Sequence, residues 1–168
     1  DNGGSIMAVS ISGGEAKVLV RGSPKSPWML PDGRHFLYVA RPSIGTGRIH
    51  VASIDGSSDV ELADAHSNAV YASDRLLFQR EDTLLAQPFD LTALKLTGAP
   101  IPIARGVQRM LGEPPAMFSA SENGFLLYQD GASESATRLA WFDRNGKQVE
   151  AIGEVGNARG VRLSPDGQ

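Results

Sequence analysis

The chain predicts an all-β protein, a partial β-propeller of four-stranded antiparallel blades in which three full blades lie between incomplete terminal ones. Three observations carry this reading. The first turn of each unit recurs at a steady interval, with Asp32, Asp74, Asn123 and Asp166 spaced 42, 49 and 43 residues apart. A second turn repeats it: Gly13 and Gly56 are 43 residues apart, and Gly146 follows 90 residues later, two steps on. Periods of about 40–45 residues with four strands each point to propeller blades, because one thin sheet cannot bury its own apolar faces. Finally, the second strand of each unit, such as residues 36–40, is apolar almost without alternation, as a strand covered on both faces should be.

Taken in order, residues 1–22 read as the end of a blade. An apolar run over 6–11 meets Ser12-Gly13-Gly14, and residues 17–20 return as its hairpin partner, with glycine supplying the positive φ of the turn. Residues 23–66 are the first full blade. Leu30-Pro31-Asp32-Gly33 places proline, aspartate and glycine where a tight turn uses them. Strands follow over 36–40 and 49–54, and Asp55-Gly56 turns the chain into an alternating outer strand at 60–63. The second blade, 67–107, has strands at 69–72, 75–80 and 83–89, then a long connection over 90–100. Its last strand, 101–104, contains Pro102, which an edge strand tolerates and a central one does not. The third blade, 108–156, has strands at 116–120, 125–128, 138–142 and 148–152, with Asn145-Gly146 as a strong hairpin signal. Residues 157–168 open a fourth unit. The expectation is a segment of a longer propeller, of about six to eight blades, whose open terminal blades invite self-association.

Composition narrows the function classes. The 168 residues hold 16 basic and 19 acidic side chains for a net charge of −3, and no cysteine. The basic residues are scattered, so a nucleic-acid footprint is not expected. Disulfides and thiolate metal sites are excluded outright, while the compartment stays open. No apolar run approaches the ~18 residues of a membrane helix. The N-terminal Asp1-Asn2-Gly3-Gly4 does not read as a signal peptide.

Pro27-Trp28-Met29-Leu30-Pro31-Asp32-Gly33-Arg34 and Leu163-Ser164-Pro165-Asp166-Gly167 resemble the Pro-Asp-Gly repeat of TolB-like bacterial propellers. His66-Ser67-Asn68-Ala69-Val70-Tyr71-Ala72, Leu84-Leu85-Ala86-Gln87-Pro88-Phe89-Asp90, Leu96-Thr97-Gly98-Ala99-Pro100 and the run from Leu139 to Lys147 are similar to propeller regions attached to bacterial eukaryotic-like serine/threonine kinases. The resemblance implies a C-terminal sensor or scaffold module that binds a protein or a small ligand, often in an extracytoplasmic position. The kinase signatures themselves are absent, so no phosphoryl-transfer role passes to any residue. Two other attachments remain open: the accessory propeller of a serine peptidase, and a TolB-like periplasmic scaffold. At Ser73-Asp74 the Pro-Asp-Gly pattern is broken, which leaves that turn's geometry open.

No catalytic, cofactor-binding or metal-binding residue is assigned, and the segment is expected to be non-enzymatic. His35, His50 and His66 share no motif. His35 is expected to face solvent and His50 a blade interface; His66, between blades, has the best case for ligand contact. No Gly-x-Ser-x-Gly elbow, His-Glu-x-x-His pair or aspartate-rich calcium loop occurs. Gly45-Thr46-Gly47 reads as a flexible loop and not as a dinucleotide fingerprint. Glu81-Asp82 reads as a solvated turn, Glu113 and Asp130 as acids without an evident partner, and Trp28 and Trp141 as inter-blade packing. The loops at 42–47, 109–115 and 130–137 are the expected places for partner contact.

Overall fold

In the computed structural model, residues 3–41, 46–109, 115–131, 137–142, 145 and 147–156 are described. They form β-strands and turns without a helix, in several small antiparallel sheets. A hairpin of β1 (Ile6–Ala8) and β2 (Lys17–Val20) comes first. Its turn uses Gly13 and Gly14 at φ of 91° and 120°, which glycine adopts at no steric cost.

Sheet one is a four-stranded meander of β3 (Lys25–Met29), β4 (His35–Ala40), β5 (Gly47–Ser53) and β6 (Asp59–Ala65). Sheet two joins β7 (Ala69–Ala72), β8 (Arg75–Arg80), β9 (Thr83–Asp90) and β11 (Ile101–Arg105). The long connection expected over 90–100 is itself structured. It folds β10 (Lys95–Leu96) back onto the end of β9, with Asp90 Oδ1 accepting the N–H groups of Thr92 and Ala93.

The expectation that central strands are covered on both faces is met in sheets one and two. Phe36 to Val39 are all buried. Phe36 and Tyr38 turn toward the N-terminal hairpin and cluster with Ile6 and Ala52. Leu37, with Leu30, Ile49, Val51 and Ala65, turns the other way and meets Ala69, Tyr71, Leu76, Phe78 and Phe89 of sheet two. The far face of sheet two is covered in turn: Ala72, Leu77 and Ala86 lie under Phe118, Ala120 and Leu126. Successive sheets therefore stack face to face, and the apolar surface so hidden is the dominant stabilising term.

Local details follow the residue types. Pro102 is on edge strand β11, beside a register break between Pro102 and Ala104. Ser73 and Asp74 both have positive φ, 49° and 57°, the two-residue turn whose twist suits a hairpin. So the missing glycine does not change the turn's role. Gly47 corrects a reading: it belongs to β5 and is not a flexible loop residue. A Cβ there would fall 2.7 Å from Val39 Cγ1 and 3.2 Å from the Ala65 carbonyl oxygen, so close packing of three strands requires glycine.

The third unit departs from the expected single sheet. Its described residues give two separate ladders, β12 (Phe118–Ala120) with β13 (Leu126–Tyr128), and β14 (Thr137–Phe142) with β15 (Gln148–Gly156). Among the described residues no ladder joins β13 to β14, and no sheet closes into a ring. The expected fourth unit, 157–168, lies outside the described residues. No helix of the described residues is long and apolar enough to cross a membrane.

Candidate functional site

Three places gather chemistry or open surface. One is on the hairpin-facing side of sheet one. Tyr38 on β4, His50 on β5 and Asp59 on β6 are cross-strand neighbours, since Tyr38 pairs with His50 in the ladder and Asp59 is opposite Ala52. Tyr38 donates its hydroxyl to Asp59 Oδ2 at 2.7 Å, and His50 donates Nδ1–H to Asp59 Oδ1 at 2.9 Å. The two rings stack with centroids 5.0 Å apart. Burial, then the Asp59 carboxylate, pushes the Tyr38 phenol well above its ordinary value. One carboxylate thus satisfies both aromatic groups and fixes the imidazole tautomer. Further along, Arg48 bridges Glu61 at 2.5 Å and Asp64 at 3.1 Å. These half-exposed charges line edge strand β6, where they discourage pairing with another chain.

A second cluster surrounds the Leu30–Gly33 turn. Asp32 Oδ1 accepts the N–H groups of Arg34 and His35 at 2.9 and 3.0 Å, and its Oδ2 takes His35 Nδ1–H at 2.6 Å. Burial works upward on this carboxyl, but the His35 bond and the two backbone donors outweigh it and hold the group below its ordinary value. Nearby Asp55 is held far lower, first by the Ser57 hydroxyl and then by the Ser57 N–H and Ser53. Lys17 Nζ donates to the Asp55 carbonyl oxygen at 3.4 Å, closing a polar cavity of ≈ 630 Å³ between hairpin and sheet one. Both cationic and anionic groups face it, so neither sign of ligand is selected.

The third place is an apolar cleft of ≈ 390 Å³ between sheet two and the β12–β13 hairpin. Leu77 and Ala86 floor it, and the exposed Ile101, Ile103 and Phe125 form its walls. At its rim the turns interlock: Ser73 Oγ donates to the Glu122 carbonyl oxygen at 2.6 Å, and Ser73 N–H to Glu122 Oε2 at 3.2 Å.

The residues singled out from sequence come out unevenly. His35 is bound into its turn by Asp32, and His50 joins the Tyr38–Asp59 group; sequence spacing alone gave no signal for either partner. His66 has a structural role. Its Nδ1 accepts the N–H of Glu81 at 3.0 Å, its N–H donates to the Gln79 carbonyl at 2.8 Å, and its carbonyl takes Arg109 at 3.5 Å. Glu81 occupies a two-residue turn at φ 55°, and Asp130 forms an isolated bridge with Val107. Trp28 is 40% exposed and not packed between sheets, because a register break in β3 between Lys25 and Trp28 re-aims it. Glu113, the Trp141 side chain and most of the loops 42–47, 109–115 and 130–137 lie outside the described residues. Among the described residues no three His, Asp or Glu side chains gather as a metal site would need. No protein-family model, no curated protein and no solved structure matches this chain.

Proposed function

We propose that this chain is a run of β-propeller blades serving as a non-catalytic binding or sensing module, for a protein or a small ligand, in a receptor-like serine/threonine kinase. The observation that carries the reading is the double-sided burial of β4 and β8 in a face-to-face array of sheets. A repeat that stacks in this way yields a rigid body whose loops and rims are free to vary, the usual basis of recognition by propellers. The polar clusters support the same reading. Asp32, Asp59 and Asp74 are each engaged by a histidine or tyrosine of their own sheet, which spends these groups on structure. His50 is oriented by Asp59 and stacks on Tyr38, whose hydroxyl is itself engaged by the same carboxylate.

The test has two arms. The reading frame that carries this chain is expected to encode a kinase domain and a membrane span upstream; a Gly-x-Ser-x-Gly hydrolase domain in the same frame would favour the peptidase attachment instead. The purified chain, assayed with ester, peptide and phosphoester substrates, is expected to show no turnover. Turnover abolished by His50→Ala or His35→Ala would overturn the non-catalytic reading.

A further inference from the structure

The apolar cleft between sheet two and the β12–β13 hairpin has one charged side chain in its described wall, that of Arg75. Side chains alternate along β8, so Leu76 and Phe78 face sheet one while Arg75 and Leu77 face the cleft. Leu77, Ala86 and Ile101 form one cross-strand row, with Leu77 opposite Ala86 and Ala86 opposite Ile101. Arg75 stands at the start of β8 on this surface, half-buried, and makes no hydrogen bond or ion pair among the described residues. The acids of the two neighbouring turns are engaged elsewhere. Asp74 accepts the Tyr71 hydroxyl at 2.9 Å, and Glu122 accepts the Ser73 N–H at 3.2 Å. A guanidinium laid along apolar side chains without a partner is an unused donor, and its planar fork matches a carboxylate with two parallel hydrogen bonds.

We propose that this cleft binds a small aliphatic carboxylate, with the carboxylate on Arg75 and the hydrocarbon chain along Leu77, Ala86 and Ile101. The proposal rests on the binding-module reading and deepens it by naming a class of ligand. Charge complementarity selects the head group, and the rest of the lining selects the chain. Beyond Arg75 the wall is Leu77, Ala86, Ile101, Ile103 and Phe125, the last three 48%, 39% and 72% exposed. A hydrocarbon laid there covers apolar surface that water otherwise wets. A peptide in the same place would bring amide groups against side chains that offer them no partner. Arg75 is two residues along β8 from Leu77, about 7 Å, and Ile101 is two strands across, about 10 Å, so about eight to ten carbons reach from the guanidinium to the far wall. The cleft's ≈ 390 Å³ is within the range of small-molecule sites.

Titration of the isotope-labelled 168-residue chain with octanoate, followed residue by residue by NMR, tests this. Saturable shifts are expected at Leu77, Ala86, Ile101 and Phe125, with Leu37 and Ile49 of sheet one unmoved. Octanol keeps the chain and loses the charge, and should bind at least about tenfold more weakly, the worth of a hydrogen bond to a charged group. Acetate keeps the charge alone and should give no saturable shift. Arg75→Met retains an apolar stem and should lose the same factor, while Arg75→Lys, which keeps the charge without the fork, should fall between. Absence of saturable shifts, octanol bound as tightly as octanoate, or unchanged affinity in Arg75→Met would each overturn the proposal. Tighter binding of a short peptide with an apolar last residue and a free carboxylate would assign the cleft to a protein terminus and overturn it too. Nuclear Overhauser contacts joining the Ala72, Leu77 and Ala86 group to Phe118 and Leu126 are expected with or without octanoate and report the stack itself. Their absence would sink the stacked-sheet reading; their presence without ligand shifts would sink the ligand alone, so the two failures are distinguishable.

Discussion

Replacing Leu37 by alanine tests whether sheets one and two hold each other up. Leu37 has no exposed surface and shares one cluster with Tyr71, Leu76 and Phe78 of the facing sheet. The change removes three buried carbons, about 2.4 kcal/mol at ~0.8 kcal/mol per methylene. The cavity left between two sheets that cannot collapse freely raises the cost to about 3 kcal/mol. For a chain of this size that corresponds to a fall in Tm of about 6–12 °C. Leu127→Ala is the control, since Leu127 is 75% exposed on β13 and should cost no more than about 0.5 kcal/mol. Urea unfolding of both variants, read by far-ultraviolet circular dichroism, supplies the comparison. Pairing Leu37→Ala with Phe78→Ala then measures coupling across the stack, expected at about 0.5 kcal/mol or more. A Leu37→Ala cost under about 1 kcal/mol, or strict additivity with Phe78→Ala, would show that the sheets do not depend on one another.

Three further outcomes are expected. Asp59→Ala leaves the buried Tyr38 hydroxyl without its acceptor and should cost about 1–3 kcal/mol, whereas Tyr38→Phe removes only the donor, leaving a half-exposed carboxylate that His50 and solvent still satisfy, and should cost less; the reverse order in urea midpoints would contradict this account. Tyr71 is pushed up to about 12 by burial first, then by its bond to Asp74 and the charge of Glu122. A raised value means the folded state favours the protonated phenol, so its contribution is whole below the ordinary value near 10 and is lost as pH rises from there toward 12. Stability measured across that window should fall less steeply in Tyr71→Phe. Glu81→Gly relieves a left-handed residue in the β8–β9 turn and should raise stability by about 0.5 kcal/mol, after glycine's own entropy cost; a midpoint lower than that of the parent chain would refute it.

Much of the fold was legible because its signals are local. The strands at 69–72 and 75–80 follow from residue type and turn chemistry within a few positions, and the structure places them at Ala69–Ala72 and Arg75–Arg80. The nearly unalternating apolar run at 36–40 carried the further message that both faces would be covered. The polar clusters were not legible, because their partners are set by register. Nothing in the spacing of His50 and Asp59 reveals that the β5–β6 ladder, with its break between Ile49 and His50, brings them within 2.9 Å. Gly47 was misread for the same reason. Its neighbours Val39 and Ala65 are close only once three strands are in register. The third unit was misjudged on continuity: its strand signals are as strong as those before it, but strand signals do not specify which edges meet.

The distribution of polar groups on sheet one carries one more consequence. On the side covered by four-stranded sheet two, Leu37, Ile49 and Val51 are buried among apolar neighbours. On the side covered by the two-stranded hairpin, cover reaches Phe36, Tyr38 and Ala52 but thins toward β6, and there the chain places His50 and Asp59 against the Tyr38 hydroxyl. A partly wet position tolerates a polar group, and a partly buried one requires that it be bonded, so a tyrosine and a histidine sharing one carboxylate is what the boundary selects. The same logic places Arg48, Glu61 and Asp64 beyond the trio, at the exposed edge. The histidine of this face is thereby explained by the width of what covers it, and removing the β1–β2 hairpin should expose His50 and Tyr38 together. Faster modification of His50 by diethyl pyrocarbonate in a chain beginning at residue 23 would confirm that the hairpin's cover, and not reactivity, sets their chemistry.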